Sequence, residues 1–345
     1  MRLAVLYPPW LKPEIIPGLP IRWYGLMYFA AFGAAYLLYR RQIRERRFPM
    51  TDDELSGLFG WGIFALLLGA RLFATLVYET SDIYLRQPWL IIWPFRNGQF
   101  TGLAGMSYHG GVIGGILAIV IYSTVKRFDY REIGDMYAAS IPLGYTFGRL
   151  GNFANGELYG RVTAGPLGMI FPSAQRFSAG EAWVREIAER TGIPIPDSAA
   201  MLNLPRHPSQ LYEALFEGVA LWLIIWLCRN RKPFKGFLSG LYLAGYGFIR
   251  FILEYFREPD ADLGYRIEFA PNGVPPALFS SLWNFTTGQI LCFLMIAAGL
   301  LWLLIASRLP NNEPVLVYLD SAAPAPKRPD RKEARKLRRK LRKRR

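Results

Sequence analysis

Seven apolar stretches limit what this chain can become more than any other feature. They fall at about 22–39, 55–78, 108–125, 133–147, 209–228, 236–256 and 283–306. A helix needs about 20 apolar residues to cross the hydrocarbon core. Only helices and closed barrels satisfy their own backbone polar groups there. At 52% hydrophobic and 15% aromatic residues, the chain is rich for a soluble protein. The expected fold is an all-α integral membrane protein with seven transmembrane helices.

The loops set the orientation. Arg40, Arg41, Arg44, Arg46 and Arg47 follow the first stretch, and Lys126, Arg127 and Arg131 the third. Arg229, Arg231, Lys232 and Lys235 follow the fifth, and Arg308 with a basic tail follows the seventh. Basic loops stay cytoplasmic, so the N-terminus is expected outside and the C-terminus inside. Residues 1–307 then form the membrane domain. Within it, 161–207 makes a small extracytoplasmic head insert between helices four and five. The head carries an amphipathic helix near 179–190, with Trp183, Val184 and Ile187 on or near one face. Residues 308–345 are expected to be a disordered cytoplasmic tail drawn to anionic lipid.

Most of the net charge of +15 sits in that tail, where 327–345 hold thirteen Lys/Arg against Asp330 and Glu333. A nucleic-acid-binding domain is therefore not indicated. Cys228 and Cys292 lie in apolar runs and read as packing residues. With only two histidines, a Cys/His metal site is not expected. No cleaved signal peptide is expected either. The connection 79–107 contains an apolar piece, 88–94, too short to span and suited to an interfacial or re-entrant position. Gly110/Gly114 and Gly111/Gly115 are small residues four apart, which permits close helix packing.

Ionisable residues inside or beside these stretches are costly unless paired or facing water, and function is the first hypothesis for them. Arg71 should face protein or water. Arg149, Asn152, Asn155, Glu157 and Gly160 belong to Gly148-Arg149-Leu150-Gly151-Asn152-Phe153-Ala154-Asn155-Gly156-Glu157-Leu158-Tyr159-Gly160. Arg149 offers a rigid fork of donors to phosphate or carboxylate. The plainer reading of this stretch is an internal Arg149–Glu157 pair. Tyr246, Arg250, Glu254 and Arg257 recur at helical spacing and give one polar face. Here the plainer reading is a structural Arg250–Glu254 pair. Glu213 and Glu217, one turn apart, read as partners for cavity arginines. For His109 the plainer reading is a structural hydrogen-bonder, and it also suits proton transfer near neutral pH, whereas His207, before a proline, reads as structural. Tyr24 sits where an aromatic belt residue would. The loops carrying His109, the motif and Arg257 all fall on the outer side, which predicts one outward-facing cavity. Arg149, Arg250 and Arg257 there suggest a ligand bearing phosphate, and a phospholipid is the natural one.

The motif resembles the signature of the prolipoprotein diacylglyceryl transferase family, G-R-x-G-N-F-x-N-x-E-x-x-G, and meets every specified position. Arg22-Trp23-Tyr24-Gly25, His109-Gly110-Gly111, His207-Pro208-Ser209-Gln210-Leu211-Tyr212-Glu213, Tyr246-Gly247-Phe248-Ile249-Arg250 and Phe256-Arg257-Glu258-Pro259-Asp260 resemble its other blocks, in the same order. The likeness covers roughly 17–307. It implies a seven-helix enzyme of the bacterial inner membrane with its site on the periplasmic side. Such an enzyme moves the diacylglyceryl group of phosphatidylglycerol onto the lipobox cysteine thiol at a prolipoprotein signal peptide, releasing glycerol phosphate, as the first step of lipoprotein maturation. By this likeness His109, Arg149, Arg250 and Tyr24 are the candidate catalytic residues. Arg149, Asn152, Asn155, Glu157, Gly160, Tyr246, Glu254 and Arg257 are the candidate substrate contacts. No metal or cofactor is implied. The loop 79–107 and the tail beyond Arg308 depart from the pattern. Two other classes compete: an anionic-lipid transporter, which internal repeats would favour, and a scaffold acting through its basic tail.

Overall fold

The chain packs as two units, one of 1–39 with 135–314 and one built on 40–134. The computed structural model describes residues 4–16, 22–79, 82–93, 95–96, 99–100, 105–197, 200–259, 264–269, 275 and 277–314. The expected disordered tail therefore lies, from 315 on, outside the described residues.

Helix α1, Trp23–Glu45, passes from the first unit into the second. The second unit is built on α2, Asp52–Phe73, and α4, Tyr108–Lys126, joined through the short α3, Ile83–Arg86. Helix α2 starts at a capping box, with Thr51 accepting from the Glu54 amide and Glu54 reaching back to the Thr51 amide. It ends in one π-turn, Ala74–Tyr78. Helix α4 is N-capped by Ser107. The α2 and α4 backbones touch. A Cβ on Gly110 would lie 2.3 Å from the Gly69 carbonyl oxygen, and one on Gly114 2.1 Å from that of Ala65. Of the two glycine pairs expected to permit close packing, Gly110/Gly114 makes this contact; a Cβ on Gly115 would meet nothing within 4 Å.

Arg71, near the end of α2, is buried. It donates to the carbonyls of Ile91 (2.6 Å), Leu90 (3.1 Å) and Gly105 (3.2 Å), and lies over the Tyr84 ring. A cation near the end of an apolar helix is thus used to fasten Leu90, Ile91 and Gly105 to α2. In the connection 79–107, Leu85, Trp89, Ile92 and Trp93 are exposed.

The first unit contains most of the remaining helices. The expected fourth crossing is two pieces, α5 (Tyr130–Ala138) and α6 (Ile141–Ala154). Pro142 sits in the first turn of α6, where a missing N–H costs nothing, so the chain restarts there instead of continuing. Helix α7, Ala182–Thr191, lies in 161–207 and buries Val184, Ile187 and Ala188 among Val162, Leu202 and Leu204. The next rod is α8, Ser209–Glu213, a π-helical stretch, Ala214–Ala220, and α9, Leu221–Cys228. Helix α10, Phe237–Leu253, tightens into a 3₁₀ turn, Glu254–Phe256. Helix α11, Thr287–Arg308, starts at a second capping box, Thr286 with Gln289.

Asp135 of α5 ties α5 to the start of α10. Its Oδ2 accepts from Lys232 Nζ (2.9 Å) and the Gly236 amide (2.9 Å). Its Oδ1 accepts from the Ser239 amide (3.0 Å) and hydroxyl (3.1 Å). The carboxylate thereby caps the start of α10, where it also meets the positive end of the helix dipole.

Among the described residues, five helical stretches are long and apolar enough to cross a membrane: Asp52–Tyr78, His109–Lys126, Ser209–Cys228, Phe237–Phe256 and Thr287–Arg308. Of the other two expected crossings, α1 carries Arg40, Arg41, Arg44 and Glu45 in its last turns, and the fourth is broken at Ser140. The protein is mostly helical and multi-pass.

Candidate active site

Arg149 lies on the last turns of α6, four residues after Tyr145 and so on the same face. Its Nε donates to the Tyr145 hydroxyl at 2.6 Å and lies 2.8 Å from Glu213 Oε2. The guanidinium stands over the Tyr145 ring, 4.8 Å from its centre. Its hydrogen bond and its shortest ion-pair contact both use Nε, so Nη1 and Nη2 make no hydrogen bond among the described residues. The Tyr145 hydroxyl in turn donates to Glu217 Oε2.

Glu213 closes α8 and Glu217 lies in the π-helical stretch after it, so both point to one side one turn apart. They are almost fully buried, with 2% and 0% of their side chains exposed. Arg250, four residues before Glu254 on α10, spans them. Its Nη1 lies 3.2 Å from Glu213 Oε1 and 3.5 Å from Glu217 Oε1, and its Nη2 3.1 Å from Glu254 Oε2. Arg257 is held loosely, with Nη1 3.8 Å from Glu213 Oε1 and Nε 3.8 Å from Glu254 Oε2. Glu213 is thus within ion-pair distance of all three arginines. Glu254 is fixed from the other side by the Thr286 hydroxyl, which donates to Oε1 at 3.2 Å while capping α11.

Three arginines face three carboxylates, so the cluster is formally neutral. An entering anion meets no surplus charge; it must find unused donors. The Arg149 edge supplies them, and Arg257 is only loosely held. Some capacity inside the cluster is also unspent: Glu217 Oε1, Glu254 Oε2 and Arg250 Nη1 make no well-formed hydrogen bond. Buried polar groups are normally satisfied, and exceptions ask for a reason.

The rest of the motif is a frame for this edge. The amides of Asn152 and Asn155 both donate to Glu157 Oε1, at 3.1 Å each. Glu157 is therefore held by two asparagines, and the Arg149–Glu157 pair does not form; Arg149 pairs with Glu213, far away in the chain. Gly156 takes a φ of +66°, the left-handed turn that ends α6. Gly160 lets two strands of chain touch, since a Cβ there would lie 2.1 Å from the Phe256 carbonyl oxygen. Its amide donates to the His207 carbonyl, and the next amide, of Arg161, to that of Phe256. This seam ties the motif to the entries of α8 and Arg257. Tyr24 packs beside Gly151, with its hydroxyl 3.1 Å from that of Tyr28. Tyr246 stands edge-on to the Tyr145 ring.

A family model described as prolipoprotein diacylglyceryl transferase matches residues 13–305. The chain is 55% identical over 322 residues to the phosphatidylglycerol–prolipoprotein diacylglyceryl transferase of Treponema denticola, covering 88% of this chain and 95% of that one. It is 51% identical over 312 residues to the protein of that name from Treponema pallidum, covering 86% and 94%. To its counterpart in Chlorobaculum tepidum it is 40% identical over 316 residues, covering 90% and 95%. The chain belongs to the prolipoprotein diacylglyceryl transferase family.

Within this transferase fold, the structure gathers Arg149, Tyr246, Arg250, Glu254 and Arg257 around Glu213 and Glu217. It places Asn152 and Asn155 on Glu157, and Gly160 at the seam. His109 is in the second unit, exposed at the start of α4, with Nδ1 2.7 Å from the Tyr78 hydroxyl. His207 is packed edge-on against Tyr212 and Phe256. Burial, and then the charge of Arg161, lower its pKa to about 4, in line with a structural role. Sequence reasoning missed Tyr145 and Thr286. The spacing of Tyr145 to Arg149 was a usable signal; Thr286 had none beyond its place as a helix cap.

Proposed function

We propose that this chain transfers the diacylglyceryl group of phosphatidylglycerol to the cysteine thiol of a prolipoprotein lipobox. The thiol sulfur attacks a glycerol carbon, a C–S bond forms, and the C–O bond to the phosphate breaks. Glycerol phosphate leaves with both bonding electrons, and the protein carries a thioether. Charge gathers on the leaving phosphate, and donors already in place there lower the barrier without reorganising.

The observation that carries this reading is the divided use of Arg149. Its Nε is fixed by Tyr145 and Glu213, and its outer edge is left for a ligand. Arg250 stabilises the same charge and holds Glu213, Glu217 and Glu254 in one arrangement. Arg257 orients through Glu254. Asn152, Asn155, Glu157 and Tyr246 orient headgroup oxygens, and Tyr24 supports the motif helix. His109 takes the thiol proton.

The same reading has the chain cross the bacterial inner membrane seven times, with α1 and the α5–α6 pair completing the five apolar spans. It puts 161–207 outside as a head, and leaves 308–345 as a basic tail against anionic cytoplasmic lipid.

The test is direct. Purified protein in detergent, given phosphatidylglycerol and a lipobox peptide, should yield a peptide heavier by one diacylglyceryl group in the mass spectrum. Arg149→Ala should lower that rate by about 10²–10³, the usual loss for a removed transition-state donor. No adduct from folded, lipid-binding parent protein would reject the assignment.

A further inference from the structure

The π-turn at the end of α2 aims one side chain. Residues Ala74–Tyr78 leave α-helical register, and the Glu79 amide donates to the Ala74 carbonyl, five residues back, at 3.2 Å. Thr75 absorbs the disturbance, its hydroxyl donating to the carbonyls of Arg71 (2.9 Å) and Leu72 (3.3 Å). A π-turn inserts one residue and rotates the residues after it by about 100° relative to α register, and such turns cluster at functional sites. The residue delivered by the turn is Tyr78. Its ring stands edge-on to Phe73 (5.3 Å between centres, 89°) and to His109 (6.4 Å, 82°). Its hydroxyl lies 2.7 Å from His109 Nδ1.

The partner is fixed independently. His109 is the second residue of α4, whose first turn is held by the Gly110 amide donating to Ser107 Oγ at 3.2 Å. Gly110 is wedged against Gly69 and Phe73 of α2. Both sides of the Tyr78–His109 contact therefore belong to one packed unit.

We propose that Tyr78 is a positioning residue for His109: its oxygen accepts the Nδ1–H, which fixes the ring and puts the lone pair on Nε2. This rests on the reading of His109 as the acceptor of the thiol proton. In that step the S–H bond breaks, the proton goes to Nε2, and the electron pair stays on sulfur as the thiolate. The ring becomes a cation, and a hydrogen bond from a cationic donor is stronger than a neutral one. The contact therefore strengthens as the proton moves. Which nitrogen carries the proton is set by what the other one bonds.

The chain has two histidines, which makes the test clean. Full-length protein labelled with ¹⁵N-histidine in detergent gives two sets of ring signals, and His109→Gln identifies those of His109. The expected signature is protonated Nδ1 and unprotonated Nε2. Tyr78→Phe keeps the ring contacts and removes only the hydroxyl. It should mix the two forms and lower kcat about tenfold, the weight of one hydrogen bond to a charged group, with KM for phosphatidylglycerol unchanged. A parent His109 protonated on Nε2 would overturn the proposal. So would a Tyr78→Phe variant unchanged in both signature and kcat while His109→Gln is inactive. Full activity in His109→Gln would instead remove the base reading, and the Tyr78 role with it.

Discussion

Among the described residues of the first unit, the buried charge clusters around Asp135 and around Glu213 are built to opposite rules. Around Asp135, each carboxylate oxygen takes two donors, at 2.9–3.1 Å, and both Asp135 and Lys232 side chains are 0% exposed. Around Glu213 the ion-pair distances run from 2.8 to 3.8 Å, three atoms lack a well-formed hydrogen bond, and one edge of Arg149 is unused. A closed cluster has no capacity for a ligand and serves only to join elements, here α5 to α10. An open one keeps capacity that the fold alone does not need. Burial and charge are the same in kind at both places, so it is completeness of hydrogen bonding that separates structure from site.

The sharpest way to break this contrast is to damage the closed cluster. Lys232→Met leaves Asp135 as an uncompensated buried charge, a loss of about 3–5 kcal/mol. Thermal unfolding in detergent should show it, while the transfer rate per folded molecule stays within about twofold, since nothing at the Arg149 edge moves. A large fall in rate with unchanged stability would mean that the two clusters are not separate in role. The open cluster should respond the other way. In Arg250→Lys one ammonium replaces a fork that reaches Glu213 and Glu217 through Nη1 and Glu254 through Nη2. A point charge cannot span those positions. The rate of adduct formation should drop about 10²–10³, and the melting temperature should change far less than in Lys232→Met. Full activity in Arg250→Lys would remove the argument that the fork matters.

Much of this was legible in the sequence, and the exceptions have physical causes. Long apolar runs report lipid contact directly, so the spans at α2, α4, α8–α9, α10 and α11 can be read from the residues alone. The break between α5 and α6 was signalled by Pro142, but apolar residues on both sides masked it. The Tyr246–Arg250–Glu254–Arg257 spacing reflects helical periodicity, which is local. Arg149 was harder. The nearest acid in the chain was Glu157, and the real partner, Glu213, comes from another helix; pairing across helices has no local signature. The two π-helical stretches were not legible at all, because inserting one residue into a helix leaves no composition cue. Yet one carries Glu217 to Tyr145 and Arg250, and the other carries Tyr78 to His109.

The smallest expected effect concerns the seam that joins the motif to the open cluster. His207 lies between Tyr212 and Phe256, and its carbonyl accepts from Gly160. Its folded pKa is lowered to about 4 from 6.5, by burial first and by Arg161 second. The unfolded chain therefore binds a proton near pH 6.5 that the folded chain refuses until about pH 4. Stability from this group is complete above the unfolded value and is lost as the pH falls through that window. The ring is partly exposed, so solvent screening cuts the effect to about 1 kcal/mol, or about 2–4 °C in melting temperature. His207→Phe keeps the ring packing and cannot titrate. Carboxylates titrate in both proteins, so the His207 contribution is the difference between their melting curves from about pH 7 to about pH 4.5, across the window of its shift. The parent should lose those few degrees more than the variant. Equal slopes would mean that His207 is not held neutral, and that the seam takes its strength from the Gly160 and Arg161 backbone bonds alone.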